Sequence, residues 1–197
     1  LMIAVRSDAP YKTLPQLIDF ARKNPGKVNY FTLGQGSLLH VLMELLEKEA
    51  NVTMTQVPYK GGPQGYQDFL GGQIDVMVDY QSGFKPLEAN GRAVAIAVAS
   101  SARLAGMPNV PTFSEQGYPG VVLGPFALLA VPAETPKPVI DKLAAAAAQA
   151  HKDPDVVKYL VERGSVPLRS GPDETKMYLD KRRVITKQLL DAVGIKP

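Results

Sequence analysis

Ser37 and His40 are of the right types to act as nucleophile and base. Three positions apart at the start of a helix, their side chains can meet. A serine hydrolase needs more: a G-x-S-x-G turn and a carboxylate that orients the imidazole, and neither is recognisable around them. A His40 that is solvated or touches a ligand is the better expectation. His151, the other histidine, falls near a helix C-terminus, where positive charge is favoured. Two distant histidines and no cysteine give neither a zinc signature nor a disulfide framework. No metal and no cofactor is expected.

The same serine closes a more informative stretch, Gly34-Gln35-Gly36-Ser37. It follows an apolar run, Val28 to Leu33, that reads as a buried strand. It precedes a segment, Leu38 to Ala50, that reads as an amphipathic helix with Ser37 as its N-cap. The first amides of such a helix have no intrahelical partner, and the dipole favours negative charge there. Strand, Gly-rich turn and helix N-terminus together make an anion site. A carboxylate of a small organic acid suits it; glycines kept only for the geometry of the turn are the alternative. No Gly-Lys-Ser/Thr follows, so it is not a P-loop. No third glycine follows, so it is not a dinucleotide fingerprint.

A second Gly-rich turn, Pro58-Tyr59-Lys60-Gly61-Gly62-Pro63, precedes another helix. Lys60 would add positive charge to an anion site, or is simply a surface lysine. Asp79, at a strand end, would accept a hydrogen bond from a hydroxyl group or cap the next segment. Tyr59 and Tyr80 flank these turns and suit partly buried lids, apolar in body and polar at the tip.

The elements that carry these residues alternate. Strands are expected at Met2 to Arg6, Val28 to Thr32, Thr53 to Val57, Ile74 to Val78, Ala93 to Ala99 and Phe126 to Val131. Thr13-Leu14-Pro15-Gln16 is a capping-box pattern that opens a helix with Leu14, Leu17, Ile18 and Ala21 on one face. In the helix from Leu38, the Leu38, Val41, Leu42, Leu45 and Leu46 face is apolar, with His40, Glu44 and Glu47 opposite. Tyr66, Phe69 and Leu70 give the next helix its buried side, and Phe84 to Asn90 reads as a short one. Ser101 to Gly120 is irregular. Thereafter the chain is nearly all helix: one capped by Thr135-Pro136, with a tightly packed alanine run at Ala144 to Ala148; one from Asp153-Pro154 to Gly164; one from Pro172 to Val193. The pattern argues for an α/β fold with a largely parallel sheet, and for C-terminal helices packed on a different sheet.

The chain has 197 residues, 45% hydrophobic and 21% charged, with net charge +3. That is an ordinary globular composition, long enough for one sizeable domain or two lobes. Lys181-Arg182-Arg183 reads as a solvated helix face; without a basic stripe interleaved with aromatics, no nucleic-acid partner is expected. No apolar run approaches the ~20 residues of a membrane span, and no signal peptide is recognisable.

Ordered motifs along the chain carry a family likeness. They are Asn24-Pro25-Gly26-Lys27, Gly34-x-Gly36-Ser37-x-x-His40, Val57-Pro58-Tyr59-Lys60-Gly61, Gly72-Gln73-Ile74-Asp75, Arg103, and Met107-Pro108-Asn109-Val110-Pro111-Thr112 with Glu115 and Gly117. Ala130-Val131-Pro132-x-x-Thr135-Pro136 follows. The set resembles the extracytoplasmic solute-binding receptors of the tripartite tricarboxylate transporter family, the Bug-type receptors.

The resemblance implies a two-lobe, type II periplasmic-binding-protein-like α/β fold, with the N-terminal part of the first lobe absent from this chain. Residues 1–123 would form the second, ligand-binding lobe, and 124–197 the C-terminal part of the first. It further implies a periplasmic receptor that holds a small organic acid in an interlobe cleft, passes it to membrane permease subunits and catalyses nothing. The carboxylate would meet Gly34, Gln35, Gly36, Ser37 and His40, with Tyr59, Lys60, Gly61 and Asp79 nearby. An α/β enzyme acting on a small acid, and the effector-sensing part of a transcription regulator, are the rival readings.

Overall fold

The structure, a computed structural model, describes residues 1–162, 165 and 170–194. The chain falls into two compact units, Leu1–Pro125 with Leu189–Pro197, and Phe126–Gln188.

The first unit is built on a five-stranded sheet. Its strands are β1 (Met2–Arg6), β2 (Asn29–Thr32), β3 (Thr55–Pro58), β4 (Val76–Asp79) and β5 (Ala93–Val98), in the order β3-β2-β4-β1-β5. β2 runs parallel to β3 and β4, whereas β1 runs antiparallel to both neighbours, with Met2 opposite Asp79 and Val98. Four strands therefore share one direction and β1 opposes them. Met2, Ile3, Ala4 and Val5 are all fully buried. An apolar run of this kind tells of cover on both faces and says nothing of strand direction.

Helices cover the sheet: α1 (Leu14–Lys23), α2 (Leu38–Ala50), α3 (Gly62–Leu70) and α4 (Gln81–Ala89). Thr13 caps α1, its side chain accepting from the Gln16 amide at 3.4 Å. Gln16 Oε1 reaches back to the Lys12 amide at 2.8 Å, one residue short of the standard box. The face of α1 that packs down is the expected Leu14, Leu17, Ile18 and Ala21. α4 starts three residues earlier than the Phe84 expected from the sequence and carries Pro86 inside. Phe31, Phe69, Phe84 and Phe113 are fully enclosed in the core. Leu189, Leu190 and Val193, near the end of the chain, also pack onto it.

The second unit holds α5 (Lys137–Ala150), α6 (Pro154–Glu162) and most of α7 (Pro172–Ala192). Several sequence expectations fail here. Phe126 to Val131 is not a strand; Phe126, Leu128, Leu129 and Val131 are exposed. A strand exists only as a paired ladder, and among the described residues this unit offers no second strand and no sheet for its helices. Thr135 does not cap α5; Pro136 occupies the N-cap position without a side-chain bond. The alanine run at Ala144 to Ala148 is not tightly packed, since no residue of α5 is buried. Gly164, the expected end of α6, lies outside the described residues. Arg182, expected on a solvated face, lies 5.6 Å over the Phe126 ring.

Candidate functional site

The carboxyl ends of β2, β3 and β4 lie on one edge of the sheet, and each leads into a helix N-terminus. From β2 the chain moves outward through α2 to β3. It then crosses back through α3 to β4 on the other side of β2. This reversal of strand order opens a crevice beyond the ends of β2 and β4, the place where open α/β sheets bind ligands. The Gly34–Ser37 turn stands at one side of it and Asp79 at the other.

The turn has the shape its glycines permit. Gly34 (φ 107°) and Gly36 (φ 74°) both lie in the left-handed region. Ser37 is the N-cap of α2, its Oγ accepting from the His40 amide at 3.3 Å. The turn's amides divide into two sets. Gly34 N–H donates to Thr32 Oγ1 (3.2 Å), Gly36 N–H to His40 Nδ1 (3.1 Å) and Ser37 N–H to Gly34 O (3.2 Å). Among the described residues the Gln35, Leu38 and Leu39 amides have no such acceptor; the last two open α2, where a helix supplies none.

His40 departs from expectation. The apolar pattern of α2 places it opposite the buried face, yet it is only 5% exposed. Buried residues occupy nearly the whole circumference of α2, from Leu39 through Met43, then Leu45, Leu46 and Ala50. Both ring nitrogens are engaged: Nδ1 takes the Gly36 amide and Nε2 faces Glu44 Oε1 at 3.1 Å. Neither is left to receive a proton from Ser37. The pair that invites a nucleophile-and-base reading is spent on shaping the turn.

At the end of β4, Asp79 is buried. Its Oδ2 accepts from the Tyr66 hydroxyl and its Oδ1 from the Tyr80 amide at 2.7 Å. Burial pushes the Asp79 carboxyl up, and these two hydrogen bonds oppose the shift. Burial and the Asp79 charge raise the Tyr66 phenol. Gly83 makes room for this contact: a Cβ there would lie 2.1 Å from Asp79 Oδ2 and 2.6 Å from Tyr66 Oη. Phe31 braces the arrangement from β2, packed edge-on against Tyr59 and Tyr66 with centroids 6.1 Å and 5.8 Å away.

The second Gly-rich turn is less committed. Gly61 is the N-cap of α3 without a side-chain bond, and Pro63 sits in its first turn. Lys60 is exposed and makes no ion pair among the described residues. The Tyr59 hydroxyl donates to Asp68 Oδ2 at 2.6 Å; burial first, then Asp68, pushes that phenol up to about 12. Tyr80 is partly exposed.

Sequence reasoning missed four supporting residues. Thr32 Oγ1 receives Gln56 Nε2 at 2.7 Å as well as the Gly34 amide. Glu44 fixes His40, and Tyr66 holds Asp79. The spacing of His40 and Glu44 was a usable signal, since i,i+4 partners share a helix face. The Thr32–Gln56 and Tyr66–Asp79 contacts join different elements and left no local trace.

An open α/β sheet with helix N-termini gathered at a strand-order reversal is an architecture that lobes of solute-binding proteins share with other ligand-binding α/β folds. The chain belongs to the tripartite tricarboxylate transporter receptor family: the sequence model of the "Tripartite tricarboxylate transporter family receptor" (TctC) matches residues 1–195. The UPF0065 protein in the TAR-I ttuE-ttuC' intergenic region of Agrobacterium vitis is 32% identical over 168 residues, 85% of this chain and 49% of that protein. Among solved structures, Rpa4515 of R. palustris with adipate superposes with TM-score 0.91 at 25% identity, over 100% of this chain and 66% of that one. MatC from Rhodopseudomonas palustris with bound malate gives TM-score 0.79 at 28% identity, over 98% and 65%. The chain thus spans about half the length of the curated relatives it matches and about two-thirds of these solved chains.

Proposed function

We propose that this chain carries the carboxylate-binding lobe of a periplasmic receptor that delivers a small organic (di)carboxylate to a membrane permease. The observation that supports this best is the turn at the start of α2. The Gln35, Leu38 and Leu39 amides stand without acceptors among the described residues, at the positive end of a 13-residue helix, beside the strand-order reversal. A carboxylate supplies the acceptors they lack. Gly34, Gly36, Ser37 and His40 shape the turn. Tyr59, Lys60, Gly61 and Asp79 belong to the same strand-end region, Lys60 as a nearby positive charge. The family membership and the adipate and malate of the two neighbours point to the same ligand class.

The rival enzyme reading loses its support with the Ser37–His40 pair, because both imidazole nitrogens are engaged by Gly36 and Glu44 and neither is left to take the Ser37 proton. The test is calorimetric titration of the full-length protein with mono-, di- and tricarboxylates, malate and adipate among them. Saturable binding of one acid, with no turnover of it, is the expected result. Turnover abolished by His40→Ala would establish the enzyme instead. A panel without binding would remove carboxylates as the ligand class.

A further inference from the structure

We propose that His40 is a positioning residue that locks the carboxylate-binding turn through the Gly36 amide, with Glu44 holding its imidazole in the required tautomer. The inference rests on the carboxylate reading above and sharpens it. A backbone N–H can only donate, so the 3.1 Å contact with Gly36 requires a bare, accepting Nδ1. The proton of the neutral ring then sits on Nε2, where Glu44 Oε1 accepts it at 3.1 Å. Both ring nitrogens are engaged, by the Gly36 amide and by Glu44, so His40 supports the turn from beneath and has no ring nitrogen left for a ligand.

The consequence is a division of labour among amides. Two clamps take the glycine N–H groups: Thr32, backed by Gln56, takes Gly34; His40, backed by Glu44, takes Gly36. Gly36 reaches its clamp because its φ of 74° rotates its amide out of the ordinary chain direction. With both glycine amides drawn inward, Gln35, Leu38 and Leu39 remain to meet the carboxylate. A turn held in this way loses little freedom on binding, and preorganisation of that kind favours affinity.

The imidazole's role separates into two parts that substitution can resolve. His40→Leu fills the space and removes the acceptor. His40→Asn restores a carbonyl oxygen near the position of Nδ1 but cannot reach Glu44. Each is measured in the full-length protein by titration with malate and adipate, alongside thermal unfolding. Long-range proton–nitrogen spectra of the wild type report which ring nitrogen is bare.

His40→Leu is expected to weaken binding about tenfold, and His40→Asn to recover most of that loss at a similar unfolding temperature. Nδ1 is expected to be the bare nitrogen. Equal affinity in all three proteins, or an asparagine variant as weak as the leucine one, overturns the proposal while leaving the carboxylate reading intact. A protonated Nδ1 in the wild type overturns it without any variant. Wild-type protein that binds no acid of the whole carboxylate panel overturns the carboxylate reading, and this inference with it.

Discussion

Replacing Glu47 with glutamine should stabilise the protein above pH 7 and do almost nothing near pH 4.5. Glu47 lies on α2, with Oε2 accepting from the Met54 amide at 2.8 Å. Its carboxyl is pushed up from 4.5 to about 7, chiefly by burial and further by the Glu44 charge, against the pull of the Met54 bond. The folded protein therefore binds a proton more tightly than the unfolded chain. Linkage then makes stability fall as pH rises from about 4.5 to about 7, and level off above it. The shift corresponds to roughly 3 kcal/mol at 1.36 kcal/mol per unit. Because the side chain is only partly enclosed, solvent screening reduces the expected penalty to about 1–2 kcal/mol. Glutamine keeps an acceptor for Met54 and carries no charge to desolvate. Urea unfolding of wild type and Glu47→Gln at pH 4.5, 6, 7 and 8 should show curves that coincide at the acid end and separate by that amount at pH 8. A constant difference across the range, or none, would refute the reasoning.

Further substitutions address the site itself. Gly36→Val places a β-branched residue at φ 74° and should abolish ligand binding, at a folding cost of about 1–2 kcal/mol, measured by calorimetry and urea unfolding. Ser37→Ala removes the N-cap of α2 and should cost about 1 kcal/mol by the same unfolding assay. Tyr66→Phe leaves the buried Asp79 Oδ2 without its hydroxyl donor and should cost about 1–3 kcal/mol, with the loss growing as Asp79 ionises.

The parts legible in the sequence are those written in local spacing. Thr13 and Ser37 announced α1 and α2 because an N-cap bonds an amide three residues on. Gly34 and Gly36 announced the turn because they accept positive φ. What sequence could not give depends on partners distant in the chain. The reversed direction of β1 shows only in its pairing across the sheet, with Met2 opposite Asp79 and Val98. The failed strand at Phe126 to Val131 had the right composition but, among the described residues of its unit, no strand to pair with. His40 was misplaced for the same reason. Its side of α2 carries polar neighbours, and only tertiary packing covers it. The contacts that tie Thr32 to Gln56 and Tyr66 to Asp79 bridge separate elements, so no periodicity foretold them.

The most direct test of the account is amide-resolved proton–nitrogen NMR of the full-length protein titrated with the carboxylate it binds most tightly. The account predicts that the Gln35, Leu38 and Leu39 amide protons move downfield with the binding curve, as they gain a charged acceptor. Gly34 and Gly36, already bonded to Thr32 and His40, should move little. Saturable binding that leaves those three amides unmoved would contradict it and place the carboxylate elsewhere.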